Sequence, residues 1–306
     1  LEISIISPVY LAQNLIDELV HRLENTLSSI CNEYEIILIE DGSPDESWNA
    51  IENICKKNKN VLGLKLSRNF GQHYAITAGL ANAKGKWVIV MDCDLQDQPE
   101  EIPKLLNKTK EGYDIVYAKR EIRQDNVIKK TSSKIFYKTF GYLTDSKQDA
   151  SIANFGIYHK KVIQSILSMK DHVRFFPTMV QWVGFKSTKI YVEHNSRGEG
   201  KSSYSWRKLI NLAIDNIIAF SDKPLRLTIR LGLSIALLSF FSGLLYLYKY
   251  LNGEIKVLGF ASIVISIWFL SGLIIFILGI IGVYLGKTFD RVKQRPTYII
   301  SKKINS

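Results

Sequence analysis

Short β-branched and aliphatic runs alternate with amphipathic stretches through the first part of the chain. The pattern predicts strands at residues 2–8, 35–39, 61–66, 87–91 and 114–117. Residues 14–30, 44–57, 72–83 and 99–110 carry apolar positions at helical spacing between them. This βαβ alternation predicts a mostly parallel sheet with helices on both faces, the Rossmann-like arrangement of an α/β fold. From Lys119 to about Arg207 the pattern is less regular and richer in Arg, Lys, Tyr and Ser. Residues 207–220 then place Leu209, Ile210, Ala213, Ile214, Ile217 and Ile218 on one helical face. Such a helix either lies at a membrane interface or packs against the preceding domain.

Two long apolar runs follow, at about 227–248 and 257–285, and neither contains Asp, Glu or Lys. Each is long enough to cross a hydrocarbon core of about 30 Å as a helix. The short polar turn at Asn252, Gly253 and Glu254 makes the pair a hairpin. The chain thus divides into an α/β domain over 1–206, an amphipathic juxtamembrane segment over 207–224, and a hairpin with a basic tail over 225–306.

The formal net charge of +11 matters through its placement. Lys223, Arg226 and Arg230 stand at the start of the first span; Lys287, Arg291, Lys293, Arg295, Lys302 and Lys303 follow the second. Only Lys249 and Lys256 lie near the turn. The positive-inside bias therefore predicts an integral inner or plasma membrane protein with both termini cytoplasmic. The basic flanks suit anionic headgroups, and no nucleic-acid motif accompanies them, so no nucleic-acid partner is expected. Cys31, Cys55 and Cys93 show neither metal-ligand spacing nor a disulfide framework, as in a reducing compartment. The chain opens directly on a strand-like run, so no cleavable signal is expected.

Ligands of parallel α/β sheets bind beyond the carboxyl ends of the strands. The second strand ends in Glu40-Asp41-Gly42-Ser43 and the fourth in Asp92-Cys93-Asp94. Neither turn carries a dinucleotide fingerprint or a P-loop. In an extended segment Asp92 and Asp94 share a face while Cys93 turns to the core. Two carboxylates at a strand end form a hard oxygen site for Mg²⁺ or Mn²⁺, with substrate phosphates completing the shell. Asp41, before a Gly-Ser turn, can accept hydrogen bonds from a nucleobase or ribose. Its structural alternative is a helix N-cap, for which Ser43 or Asp45 is better placed.

Pro8-Val9-Tyr10, Glu40-Asp41-Gly42-Ser43, Ser67-Arg68-Asn69-Phe70-Gly71 and Asp92-Cys93-Asp94-Leu95-Gln96-Asp97 occur in order at the strand ends. Together they resemble the family-2 inverting glycosyltransferases with a GT-A fold. The closer resemblance is to the polyprenyl-phosphate branch, which includes dolichol-phosphate mannosyltransferase and bactoprenol glucosyltransferases. It extends through Arg197-Gly198, Gly200-Lys201-Ser202-Ser203-Tyr204-Ser205 and the entry at Ser221 to the anchor.

The resemblance implies transfer of a sugar from a nucleotide-sugar donor to an undecaprenyl-type polyprenyl phosphate, for cell-envelope glycan synthesis or modification. It assigns Asp41 to the base, with Pro8 and Tyr10 lining that pocket. Asp92 and Asp94 would hold the metal on the donor diphosphate, supported by Gln96. Arg120 and Arg123 match the basic pair that contacts phosphates. Arg197 and Lys201 would approach the acceptor phosphate, with Asp149 also on the acceptor side. It also allows a homo-oligomer. One departure is Asn154-Phe155-Gly156-Ile157 where relatives often read D-F-R-L, so an arginine expected near the donor sugar is absent. A phosphate acceptor is largely a dianion already, its second pKa lying near ~6, so no strong base is needed. The five histidines accordingly show no triad-like arrangement. Two rival readings are a processive polysaccharide synthase and a non-catalytic membrane scaffold. The first expects a longer channel bundle and a Q-x-x-R-W motif, whereas this chain has Gln181-Trp182 and two spans. The second expects decay of the acidic and basic motifs, which are intact.

Overall fold

The computed structural model describes residues 1–120, 152–171, 173–193, 221–252 and 259–305. The chain divides into two compact units. One holds the N-terminal domain together with the residues from Pro296 onward; the other holds the two long C-terminal helices.

In the first unit the strands are β1 (Ile3–Val9), β2 (Tyr34–Glu40), β3 (Val61–Leu66), β4 (Trp87–Val90), β5 (Ile115–Arg120), β6 (Ile152–His159), β7 (Ser187–Val192) and β8 (Ile300–Ile304). The helices are α1 (Ile16–Ser28), α2 (Ser47–Lys57), α3 (Gln72–Asn82), α4 (Ile102–Thr109) after a 3₁₀ turn at Pro99–Glu101, α5 (Lys160–Ser168) and α6 (Phe176–Trp182). The sheet order is β7-β5-β6-β4-β1-β2-β3-β8. Strands β1 to β5 and β7 run parallel, while β6 and β8 run antiparallel to their neighbours. The mostly parallel sheet expected from the alternation is present, with antiparallel β6 and β8 making it mixed and element ends shifted by a few residues.

One face of the sheet buries Ile3, Ile5 and Val9 of β1 and Ile36 and Leu38 of β2 against α1, α2 and α4. Helix α1 contributes Ile16, Leu19, Val20, Leu23 and Leu27 to this core. Each such side chain is worth about 1.5–3 kcal/mol of burial. On the other face α3 lies close to the sheet because Gly79 has no side chain. A Cβ there would come within 2.6 Å of Ile6 Cγ2 and 2.8 Å of Ile39 Cδ1.

The stretch read as irregular contains β6, α5, α6 and β7. Strand β6 is buried on both faces from Phe155 to Tyr158, so it shows no alternation, and Gly156 breaks its apolar run. Helix α6 is only seven residues long and begins with a proline in its first turn, which leaves little helical period to read.

Strand β8 pairs antiparallel with β3, Gly63 opposite Ile304 and Leu66 opposite Ile300. The residues after the hairpin thus re-enter the sheet at the carboxyl end of β3, where Ser67 N–H donates to Ile299 O at 2.9 Å. Exposed Lys302 and Lys303 discourage further pairing at this edge. Asn305 locks the strand: its side-chain amide donates to the carbonyls of Cys55, Asn58 and Val61 at 2.6, 3.1 and 2.9 Å. Asn305 is exposed, so we expect Asn305→Ala to cost about 0.5–1.5 kcal/mol, the net worth of ordinary hydrogen bonds. Thermal unfolding and hydrogen exchange of the β3 amides would check it; unchanged exchange would show that the lock is dispensable.

The second unit contains α7 (Lys223–Leu251) and α8 (Phe260–Val292). Their apolar windows, Lys223–Ser242 and Ser266–Asp290, have mean hydropathies of 1.5 and 2.5 and are almost wholly exposed. Leu233, Leu238, Phe240, Trp268, Ile275 and Phe276 are among the bare side chains. So much exposed apolar surface suits lipid and not water. The Tyr284 hydroxyl donates to Ser221 O at 2.9 Å, linking the two ends of the hairpin. The two helices are consistent with a membrane hairpin. The amphipathic segment predicted at 207–220 lies outside the described residues.

Candidate active site

The carboxyl ends of β1, β2, β3 and β4 meet along one edge of the sheet. Met91 N–H donates to Ile6 O at 3.0 Å. The next rung of that ladder would need an N–H at residue 8, and Pro8 has none. Strand β4 therefore stops at Val90 and releases Asp92-Cys93-Asp94 into a turn. Burial still alternates: Met91, Cys93 and Leu95 are buried, while Asp92, Asp94 and Gln96 are half-buried on the other side. Gln96 N–H donates to Asp94 Oδ1 at 3.2 Å. Leu95 sits in the left-handed region at φ 57° and Leu11 at φ 52°, so backbone strain borders this edge at two places.

Cys93 is not a nucleophile. Burial pushes its thiol up to about 12, and Tyr10 N–H hydrogen-bonds to it. A thiol so far from ionisation is inert at neutral pH.

Strand β2 delivers Glu40 and Asp41. Asp41 is 3% exposed, and its Oδ1 and Oδ2 accept the N–H groups of Phe70 and Gly71 at 2.7 and 2.8 Å. Burial holds its carboxyl above the ordinary value, and the two amides pull it back only in part. An ionised carboxylate has about four lone-pair sites, so two such bonds do not exhaust it. The N-cap position of α2 falls on Glu46, without a side-chain cap; Asp45, one residue earlier, accepts the Ser47 N–H at 3.2 Å and the Ser43 hydroxyl at 2.5 Å on its Oδ1. Glu40 accepts the Ser43 N–H, and burial raises its carboxyl as well.

Asp92 is held by two side-chain amides. Gln72 Nε2 donates to Asp92 Oδ1 at 2.7 Å, and Asn154 Nδ2 approaches the same oxygen at 3.4 Å. Sequence reading singled out neither for this contact. The available signal was a polar side chain at the first helical position after a strand-end loop. Of the other expected site residues, Pro8 is buried in β1, Tyr10 is 44% exposed beside it, and β5 ends on Arg120. Arg123, Asp149, Arg197 and Lys201 lie outside the described residues.

A model of glycosyl transferase family 2 matches residues 4–167. The chain belongs to this family. It is 36% identical over 302 residues to an uncharacterized glycosyltransferase of Synechocystis sp., covering 98% of this chain and 95% of that protein. It is 32% identical over 306 residues to the undecaprenyl-phosphate 4-deoxy-4-formamido-L-arabinose transferase of Klebsiella pneumoniae, covering 99% and 94% respectively. Among solved structures, glucosyl-3-phosphoglycerate synthase from Mycobacterium tuberculosis, in complex with Mn²⁺, UDP and phosphoglyceric acid, shares the fold. Its TM-score is 0.51 at 14% identity, covering 71% of this chain and 76% of that one. The protein is thus a family-2 glycosyltransferase of GT-A fold, related to undecaprenyl-phosphate sugar transferases.

In this transferase the departure at Gly156 has a structural counterpart. A Cβ at Gly156 would come 2.8 Å from the Tyr158 hydroxyl oxygen and 3.1 Å from Val116 O. Tyr158 is 2% exposed, with ring contacts to Tyr117 and Phe176 at 6.2 and 5.2 Å between centroids. The space in which a longer side chain would start is therefore filled by a tyrosine from the same strand face. The described histidines, His21, His73 and His159, sit in other surroundings. Burial pushes His73 down to about 4, and its ring sits 4.5 Å from Phe175 in an edge-on contact. His159 caps α5 by accepting the Lys161 N–H at 3.3 Å, and His21 lies exposed beside Asn25.

Among the described residues no three His, Cys, Asp or Glu side chains gather as a metal cluster. Asp92 and Asp94 by themselves fit a hard divalent cation that takes the rest of its shell from phosphate and water. They do not fit a closed structural zinc site, which needs four protein ligands.

Proposed function

We propose that this transferase moves a sugar from a nucleotide-sugar donor to an undecaprenyl-type polyprenyl phosphate, with inversion and Mg²⁺ or Mn²⁺ assistance, at the cytoplasmic membrane face. The observation that carries the proposal is one chain holding both the Asp92/Asp94 pair at the sheet edge and two exposed apolar helices. A relative covering nearly the whole chain is named for an undecaprenyl-phosphate acceptor, and a solved structure sharing the fold holds Mn²⁺ and UDP.

In this reading Asp92 and Asp94, with Gln96 beside them, hold the cation, which when bound neutralises charge on the leaving nucleotide diphosphate. Arg120 and Arg123 add positive charge at the same leaving group. Asp41 receives the base or ribose in a pocket edged by Pro8 and Tyr10. Arg197 and Lys201, with Asp149 nearby, receive the acceptor phosphate, which attacks the anomeric carbon from the face opposite the leaving group. The acceptor is a dianion near neutral pH, so no residue is needed to deprotonate it.

The pairing of β8 with β3 supports the topology. A chain that leaves the domain into α7 and returns to the same sheet after α8 crosses a bilayer an even number of times. Both ends of the hairpin then lie on the domain's side, which the basic flanks make cytoplasmic.

A transfer assay with radiolabelled nucleotide sugars, polyprenyl phosphate and Mn²⁺ tests the function. The expected product extracts into organic solvent, releases its sugar in mild acid, and carries the anomeric configuration opposite to the donor's. A water-soluble polymer as the only labelled product would instead favour a processive synthase.

A further inference from the structure

The carboxyl edge contains a run of contacts that joins its two acidic strand ends. Asp41, at the end of β2, binds the N–H of Phe70 and of Gly71. Gly71, at φ 107°, turns the chain into α3. The next residue, Gln72, donates its side-chain N–H to Asp92 Oδ1 at 2.7 Å beyond the end of β4. Asn154, near the start of β6, approaches the same oxygen at 3.4 Å. An ionised carboxylate only accepts hydrogen bonds, so both amides must present nitrogen to it.

We infer that Gln72, assisted by Asn154, is a positioning residue that sets the Asp92 carboxylate for the divalent cation of the donor complex. This rests on the reading of Asp92 and Asp94 as the cation pair. Fixing Oδ1 between two donors fixes the plane of the carboxylate, and with it the direction of Oδ2. Removing partners that orient a ligating side chain typically costs about 10–100-fold in metal affinity or activity. Gln72 makes the shorter contact and carries most of the effect. Because Gln72 follows Gly71 directly, the Asp41 clasp on the loop also sets where its amide can reach. The base end and the diphosphate end of the donor are thereby held in one register.

The test uses the full-length protein in detergent, with Mn²⁺ titrated in the presence of UDP, GDP, CDP or ADP and free Mn²⁺ followed by electron paramagnetic resonance. Gln72→Met keeps the length of the side chain and removes its donor. We expect it to weaken Mn²⁺ binding about tenfold and to raise the donor KM more than it lowers kcat. Asn154→Leu should weaken binding by about two- to threefold, and the double variant should lose more than either. Thermal unfolding should stay close to wild type, which separates positioning from a merely structural role. If Gln72→Met does not fold, Gln72→Ala removes the amide without adding bulk and takes its place. A folded variant whose Mn²⁺ affinity and KM stay within about twofold of wild type would overturn the inference. So would a fall in kcat alone. Absence of Mn²⁺ binding in the wild-type protein would instead overturn the cation reading, and the inference with it.

Discussion

Alanine at Asp94 is expected to lower sugar transfer by at least about 10²–10³-fold, the scale seen when one group that stabilises charge in a transition state is removed. Asp94 is half-buried at the turn after β4, on the same side as Asp92. If Asp92 and Asp94 hold the cation as proposed, loss of this carboxylate leaves it one protein oxygen in place of two. Asp94→Asn should lose nearly as much, because it keeps the shape and removes the charge. Neither change touches α7 or α8, so membrane insertion should be intact. The comparison is made on full-length protein extracted from membranes, with transfer and Mn²⁺ binding measured on the same sample. Wild-type activity in a folded Asp94→Ala variant would end the metal assignment. Loss of activity with unchanged Mn²⁺ binding would move Asp94 away from the cation to another task at the donor.

The second large effect is expected at Gly42, which no chemistry singles out. It sits at φ 61° directly under the 67–71 loop, where a Cβ would come 2.2 Å from Asn69 N and 2.4 Å from Arg68 C. Both are backbone atoms and cannot rotate away, so the loop itself must shift. That movement breaks the bonds from Phe70 and Gly71 N–H to Asp41, each worth about 1.5–3 kcal/mol as a bond to a charged group. The left-handed conformation adds about 1–2 kcal/mol for a residue with a Cβ. Gly42→Ala should therefore cost about 4–8 kcal/mol if both bonds are lost, or about 8–32 °C in Tm for a domain of this size. The donor KM should rise with it. Gly184 is the internal control, since it has φ 67° but its nearest outside atom would be Trp182 O at 3.9 Å. Gly184→Ala carries the conformational cost without the clash, and should lose only about 1–2 kcal/mol. Equal losses at the two sites would show that the loop contact contributes nothing.

Much of the fold was legible because burial repeats along the chain with the period of each element. Ile5, Ile36, Val61 and Ile89 stand in buried strands packed between neighbours, so their runs are mostly apolar. Leu19, Leu23 and Leu27 repeat at helical spacing because one side of α1 is covered. Legibility failed in β6, where Gly156 interrupts the run, and at β8, where Ser301, Lys302 and Lys303 form an exposed edge strand. An edge strand is held largely by backbone bonds, and those leave no mark on side-chain type.

For the candidate site the division is similar. Asp41, Asp92 and Asp94 could be picked out beforehand because the strand pattern put them at the carboxyl edge, and carboxylates there are costly unless something uses them. The glycosyltransferase family could be read from the order of short motifs, and two long apolar runs announced the hairpin. Which side chains meet was decided by tertiary structure alone. Gln72 reaches Asp92 across 20 positions of sequence, and Asn154 reaches it across 62. The clasp of Asp41 on Phe70 and Gly71 and the return of the C-terminus to β3 are likewise long-range. Local pattern reports the solvent exposure of each position, whereas hydrogen-bond partners are chosen by distances that exist only after the layers have packed.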